Sequence, residues 1–151
     1  MFNQKIADAN TIIRTNVAVL VRDRRGQIML EKRRDCGMWC VPGGRIEPGE
    51  SIRQTAIREI LEETGFQIRI TRLLGVYSGP GDRIVKYPDN VIQSVDILVE
   101  AEVVSGILAI SSESEEIKFF SLADLPHISE IIPPARQVID DIVHDRVGVI
   151  R

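Results

Sequence analysis

Apolar and polar positions along the chain fall into two periods. Ile12 to Val21 places Ile12, Ile13, Thr15, Val17, Val19 and Val21 in a β-branched run that predicts a strand. Arg22 to Gly26 reads as a turn, and Gln27 to Lys32 as the returning strand of a hairpin. Trp39-Cys40-Val41 predicts a short strand. Phe66 to Tyr77 predicts a longer one, kinked near Arg72, and Val91 to Val104 another. Ile117 to Phe120 is a short strand, and Ser121 to Leu125 a helical turn stopped before Pro126. Ser78 to Asn90 is expected to be a long connection with three turn-type clusters, and such loops often carry function. Residues 1–11 read as a lead-in and 146–151 as a tail.

Two stretches have the helical period. The first opens at Ser51, with Gln54 three residues on, in the form of a capping box. It closes at Gly65, because glycine accepts the left-handed cap conformation. At about 100° per residue, Ala56, Ile57, Ile60 and Leu61 share one side, and Glu59, Glu62 and Glu63 lie roughly opposite. The second helix is expected over Ala135 to Asp145, with an apolar stripe of Val138, Ile139, Ile142 and Val143 behind Pro133-Pro134. Strands and helices together predict a mixed α/β chain.

The carboxylates change that picture. Glu59 with Glu63, and Glu59 with Glu62, are neighbours on the helix surface and repel at neutral pH. Arg58, four residues before Glu62, offsets part of the repulsion. A divalent cation would offset more, and oxygen-only ligands with water suit Mg²⁺ or Mn²⁺. The alternative is a solvated acidic face, the ordinary fate of exposed Glu.

Composition narrows the class. A chain of 151 residues fits one domain and needs no disulfide or metal staple to fold. Its net charge of −3 gives no electrostatic footprint for nucleic acid and no polybasic membrane surface. No apolar run approaches a membrane span and the first residues lack a secretory pattern, so cytoplasm is the expectation. Cys36 and Cys40, with only His127 and His144 elsewhere, make neither a disulfide framework nor a zinc site.

The order Gly44, five residues, Glu50, seven residues, Arg58-Glu59-Ile60, one residue, Glu62-Glu63, one residue, Gly65-Phe66 resembles the signature of the Nudix (MutT-type) hydrolases at every defined position. The flanks Trp39-Cys40-Val41-Pro42-Gly43-Gly44 and Phe119-Phe120-Ser121-Leu122-Ala123-Asp124-Leu125-Pro126 are similar to the family's too. The resemblance covers roughly residues 14–126. It implies a single α/β/α sandwich domain, an α/β (α+β) fold with a central mixed sheet between helices, its core about 12–126 and a C-terminal helix about 134–145.

It also implies an activity: hydrolysis of a nucleoside diphosphate linked to another group, with Mg²⁺ or Mn²⁺ held by Glu59, Glu62, Glu63 and Glu50. Arg58 would orient a carboxylate. The general base is expected from Glu59 or Glu62 on the helix or from a later carboxylate, Glu113, Glu115 or Glu116; Glu59 is ranked first and Glu113 close behind it. Gly43 and Gly44 are expected against the catalytic helix. Arg33 and Arg34 are candidates for phosphate contact, each set against a solvated strand end. Trp39 is a candidate for stacking on a base, set against packing, and Tyr77 and Tyr87 carry the same pair of readings. The small-molecule substrate expected is a (deoxy)nucleoside triphosphate. ADP-ribose or a nucleotide sugar is the alternative, Pro80 being where some ADP-ribose-cleaving members carry a proline. A sensing module that binds without cleaving would be expected to lose the glutamates kept here. A homodimer through the N-terminal segment or the second helix, and a bacterial source, complete the expectations.

Overall fold

Strands β1 (Ile12–Arg22) and β7 (Val91–Gly106) form the spine of the sheet. They run parallel in unbroken register from Ile12 opposite Ile92 to Arg22 opposite Glu102. The structure, a computed structural model, describes residues 7–151. The lead-in expected over 1–11 therefore lies outside the described residues as far as residue 6. Side chains alternate across a strand, so β1 serves two cores. Val17, Val19 and Val21 pack with Ala56 and Ile60, and Leu20 packs on the other face with Val138, Ile139 and Ile142. Helix α1 (Ile52–Thr64) and helix α2 (Pro133–Val143) thus cover opposite faces, which is the α/β/α sandwich expected.

Strand β2 (Ile28–Arg33) meets β1 only at Arg22 opposite Ile28. The hairpin read from the sequence exists at its turn and then opens. The cause is β4 (Gly43–Arg45), which occupies the edge of β1 from Asn16 to Ala18. β2 instead pairs with β3 (Trp39–Cys40) and with β8 (Ser114–Phe120). β5 (Phe66–Tyr77) has the expected bounds, and one of its register shifts against β7 falls between Ile70 and Arg72, where the kink was placed.

Two segments depart from their reading as loop and tail. Residues 78–90 contain β6 (Ile84–Lys86), paired with β7, because Ile84 is wholly buried and needs a strand to carry it inward. The tail contains β9 (Val149–Ile150), parallel to β5. α2 begins at Pro133 and ends at Val143, whose side chain is exposed instead of completing the stripe.

α1 begins and ends where the sequence places it. Ser51 and Gln54 form both halves of the capping box, and Gly65 adopts φ 75°. Its rotation is different. Thr55, Ala56, Ile60 and Thr64 are the buried residues, while Ile57 and Leu61 are exposed. Burying Ile60 stabilises the contact with the sheet by about 2 kcal/mol. The turn of the helix brings Glu59 and Glu63 inward and leaves Glu62 pointing out, its side chain 61% accessible.

Candidate active site

The site is a cleft of about 790 Å³ beside the glycine segment of β4, with α1 at one end and α2 on one wall. Gly43 pairs with Ala18 and Gly44 with Val17. A Cβ at Gly43 would lie 2.1 Å from the Val17 carbonyl oxygen, and one at Gly44 would lie 2.4 Å from the Glu59 carboxylate. Glycine is required at Gly43, where backbone fills the space and φ is 143°, whereas a side chain at Gly44 would push the Glu59 carboxylate aside. The segment lies against the carboxylate helix, as expected.

Arg58 organises the outer carboxylates. Its Nε and Nη2 donate to the two oxygens of Glu50 at 2.6 and 2.8 Å, and Nη1 donates to Glu59 at 2.8 Å and Glu62 at 3.3 Å. Nη2 also donates to the Arg45 carbonyl at 3.2 Å, which ties the helix to β4. Paired with Arg58 and with Thr55 Oγ1, Glu50 is held at about 2, well below the usual carboxylate range. Arg58 thus contacts three carboxylates at once, those of Glu50, Glu59 and Glu62.

Glu63 has the opposite surroundings. Its Oε2 accepts from the Gly43 amide at 3.2 Å, and no cationic side chain of the described residues pairs with it. Burial, then the charges of Glu31 and Glu59, push it up to about 9. Glu59 is also raised, burial outweighing its bond to Arg58. Glu31 was not singled out in the sequence. It is buried in β2, lines the cleft, and accepts from Ser114 Oγ at 2.6 Å with the Cys40 thiol 3.8 Å away. The signal was there: a glutamate directly after Ile28-Met29-Leu30 in a buried strand. Cys36 is exposed and Cys40 buried, both free thiols; burial and the Glu31 charge raise Cys40 well above a free thiol.

Glu113 lines the cleft on the loop before β8. That loop is tied down on several sides. Ser111 N donates to the Glu63 carbonyl at 3.2 Å and Arg34 N to the Glu113 carbonyl at 2.9 Å. Arg34 Nε and Nη2 donate to the Ser112 and Ser114 carbonyls, both at 2.9 Å. Arg34 therefore lines the cleft with its guanidinium engaged by protein carbonyls. Arg33, also at the cleft, is paired through two nitrogens with Asp35. Trp39 is not at the cleft. It is buried and meets Phe120 edge-on, ring centres 4.9 Å apart, which corrects the stacking expectation: its faces are used in the core. Tyr77 is likewise buried, its hydroxyl donating to Asp141 at 3.1 Å, whereas Tyr87 is exposed at the cleft.

Four further cleft residues escaped the sequence reading: Arg14, Asn16, Arg83 and Asp96. Asn16 and Asp96 are polar positions inside β-branched strands, which was the available sign.

The donor set at the α1 end is carboxylate oxygen, suited to a hard divalent cation, and Glu63 is a half-buried carboxylate without a positive partner among the described residues. Among the described residues no three acidic, His or Cys groups converge as a ready-made cage. Mg²⁺ does not require one, since it binds through one or two carboxylates, waters and substrate phosphates.

A mixed sheet between two helices, with an acidic helix packed against a glycine strand at one end of a cleft, defines the class of fold. The chain belongs to the NUDIX domain family, whose match spans residues 13–142. A putative 8-oxo-dGTP diphosphatase of Bacillus subtilis (strain 168) is 48% identical over 62 residues, 41% of this chain and 42% of that protein. An ADP-ribose pyrophosphatase of Methanocaldococcus jannaschii is 37% identical over 110 residues, 71% of this chain and 62% of that one. The chain thus spans less than two thirds of either relative. Among solved structures, a MutT protein from Methanosarcina mazei Go1 superimposes with a TM-score of 0.73 at 21% identity, over 91% of this chain and 98% of that one, a likeness of fold.

Proposed function

We propose that this protein is a divalent-metal-dependent hydrolase of a phosphoanhydride in a nucleoside diphosphate linked to another group, and that the preferred substrate is a (deoxy)nucleoside triphosphate. The observation that carries the reading is Glu63: a half-buried carboxylate beside Glu31 and Glu59, raised to about 9, with no cationic partner among the described residues, at the acidic end of an open cleft. A polyanionic substrate could not approach Glu31, Glu59 and Glu63 without intervening positive charge. Names of relatives support the class, since one is a diphosphatase of a nucleoside triphosphate and another a pyrophosphatase.

A bound Mg²⁺ or Mn²⁺ would neutralise charge on phosphoryl oxygens and lower the pKa of a bound water. Glu59 and Glu63 are the residues placed to hold it. Glu62, outward-facing, and Glu50, paired with Arg58, would have to turn to take part. Arg58 keeps Glu59 and Glu50 from repelling each other. Gly43 and Gly44 let β4 itself lie close against β1 and the carboxylates of Glu59 and Glu63. Glu113 is the better placed general base, because Glu59 is tied to Arg58 while no hydrogen bond among the described residues engages the Glu113 carboxylate.

A panel tests this reading: the (d)NTPs, an oxidised dGTP, ADP-ribose, a dinucleoside polyphosphate and a nucleotide sugar with Mg²⁺, products identified by mass. A triphosphate should be turned over fastest, yielding monophosphate and pyrophosphate. ADP-ribose turned over well ahead of every triphosphate would establish the alternative. Nucleotide binding without any turnover would make the domain a sensor.

A further inference from the structure

Glu113 is an exposed residue whose backbone is bonded on both sides. Its amide donates to Ser111 Oγ at 3.2 Å, and its carbonyl accepts from the Arg34 amide at 2.9 Å. The carbonyls before and after it, those of Ser112 and Ser114, both accept from the Arg34 guanidinium. Arg34, directly after β2, therefore holds the carbonyls of Ser112, Glu113 and Ser114 together.

The same loop is tied to both neighbouring elements. Ser114 is wholly buried, and its hydroxyl donates to Glu31 on β2. Ser111 N donates to the carbonyl of Glu63, the last carboxylate residue of α1. Two residues of chain span at most about 7 Å, so Glu113 stands within that reach of Ser111 and of the acidic end of the cleft. A bulge sets the register. Lys32 lies opposite Glu116 and Arg33 opposite Ser114, which makes Glu115 the extra residue of β8. Its carboxylate pairs with Lys32 at 3.5 Å. Bulges beside functional sites re-aim side chains. Of Glu113, Glu115 and Glu116, Glu113 is the one that lines the cleft.

We propose that Arg34 is the positioning residue for the general base: its guanidinium holds the 112–114 backbone so that the Glu113 carboxylate is in place before substrate arrives. The inference rests on the hydrolase reading above and goes beyond it in giving Arg34 a role exerted through Glu113 and not through substrate phosphate. Glu113 takes a proton from the water whose oxygen attacks phosphorus, and the bridging anhydride oxygen leaves with the electron pair of the broken P–O bond. Arginine suits the task, because its planar fork offers donors at fixed angles to two carbonyls at once. Position matters steeply here, since misplacing a reacting group by 1 Å costs about a hundredfold in rate.

A double-mutant cycle on Arg34→Met and Glu113→Gln tests this, using the panel compound turned over fastest and saturating Mg²⁺. Alone, Arg34→Met should lower kcat at least about tenfold and leave KM and Mg²⁺ dependence within about twofold. In the Glu113→Gln background the same change should lower kcat less than about twofold, because no base is left to misplace. Amide hydrogen exchange without substrate gives a second readout: exchange over residues 111–114 should speed at least about tenfold in Arg34→Met, with α1 unchanged. Losses that multiply in the cycle, a fully active Glu113→Gln, or unchanged exchange over 111–114 would overturn the assignment. So would a raised KM with kcat kept, which would make Arg34 a phosphate contact. If wild type turns over nothing in the panel, the hydrolase reading fails on its own, and exchange still decides whether Arg34 holds the loop.

Discussion

Replacing Glu63 by Gln should stabilise the metal-free protein while disabling it. In the folded chain this carboxyl titrates at about 9, against an ordinary value of 4.5. At pH 7.5 it is protonated when folded and ionised when unfolded, so folding takes up a proton. The cost is the gap between pH 7.5 and 4.5, three units at 1.36 kcal/mol each, about 4 kcal/mol as an upper bound. Solvent in the cleft screens part of it, leaving about 2–4 kcal/mol. Gln imitates the protonated acid and keeps an oxygen for the Gly43 amide. Its Tm in a chelating buffer at pH 7.5 should therefore exceed wild type by roughly 5–10 °C. The sign follows from a raised folded pKa in an acid: wild type loses stability as pH rises from the unfolded value toward the folded one. The advantage of Gln should accordingly vanish near pH 4, where both states are protonated. Mg²⁺ should narrow the difference at pH 7.5 by stabilising wild type alone. Equal Tm values at pH 7.5 with chelator, or a less stable Gln variant, would refute the claim that Glu63 is a half-buried acid awaiting a cation.

Gly44→Ala places a methyl against the Glu59 carboxylate, 2.4 Å away, and should swing that carboxylate aside; kcat should fall at least about tenfold, with less than about 1 kcal/mol lost in urea unfolding. Glu113→Gln should lower kcat at least about tenfold with KM and Mg²⁺ dependence little changed, while Glu59→Gln should weaken Mg²⁺ dependence; the reverse pattern moves the base to the helix. Asp141 is buried among Arg151, Arg146 and the Tyr77 hydroxyl and is held at about 2. Its lowered pKa stabilises the fold fully above the unfolded value of 3.8 and that contribution is lost as pH falls through 2; Asp141→Asn should cost about 2 kcal/mol at pH 7 and only about 0.4 kcal/mol at pH 2 by denaturant unfolding.

What the sequence disclosed was local. Capping at Ser51, Gln54 and Gly65 depends on neighbours in the chain, so the ends of α1 were legible to the residue. The rotation of α1 was not, because apolarity alone turns Ile57 and Leu61 inward. In the fold, contact with a glycine strand allows Glu59 and Glu63 to take that flank instead. Trp39 looked available because a strand end carries no sign of what covers it, and Phe120 covers it. β6 and β9 are held by pairing with distant strands, a non-local cause invisible in two or three residues. Arg33 and Arg34 showed their charge but not their partners, which a bulge between Lys32 and Arg33 helps to set. The far end of the cleft was hidden for the same reason: Arg14, Asn16, Asp96 and Arg83 meet only through the register of β1 with β7.

The measurement closest to the centre of this account is product formation from a nucleoside triphosphate with Mg²⁺, with excess chelator, and with Mg²⁺ added back, for wild type and Glu63→Gln together. The account predicts monophosphate and pyrophosphate from wild type with Mg²⁺, none with chelator, recovery on add-back, and little from the variant throughout. Turnover that survives the chelator, or a fully active Glu63→Gln, would contradict it.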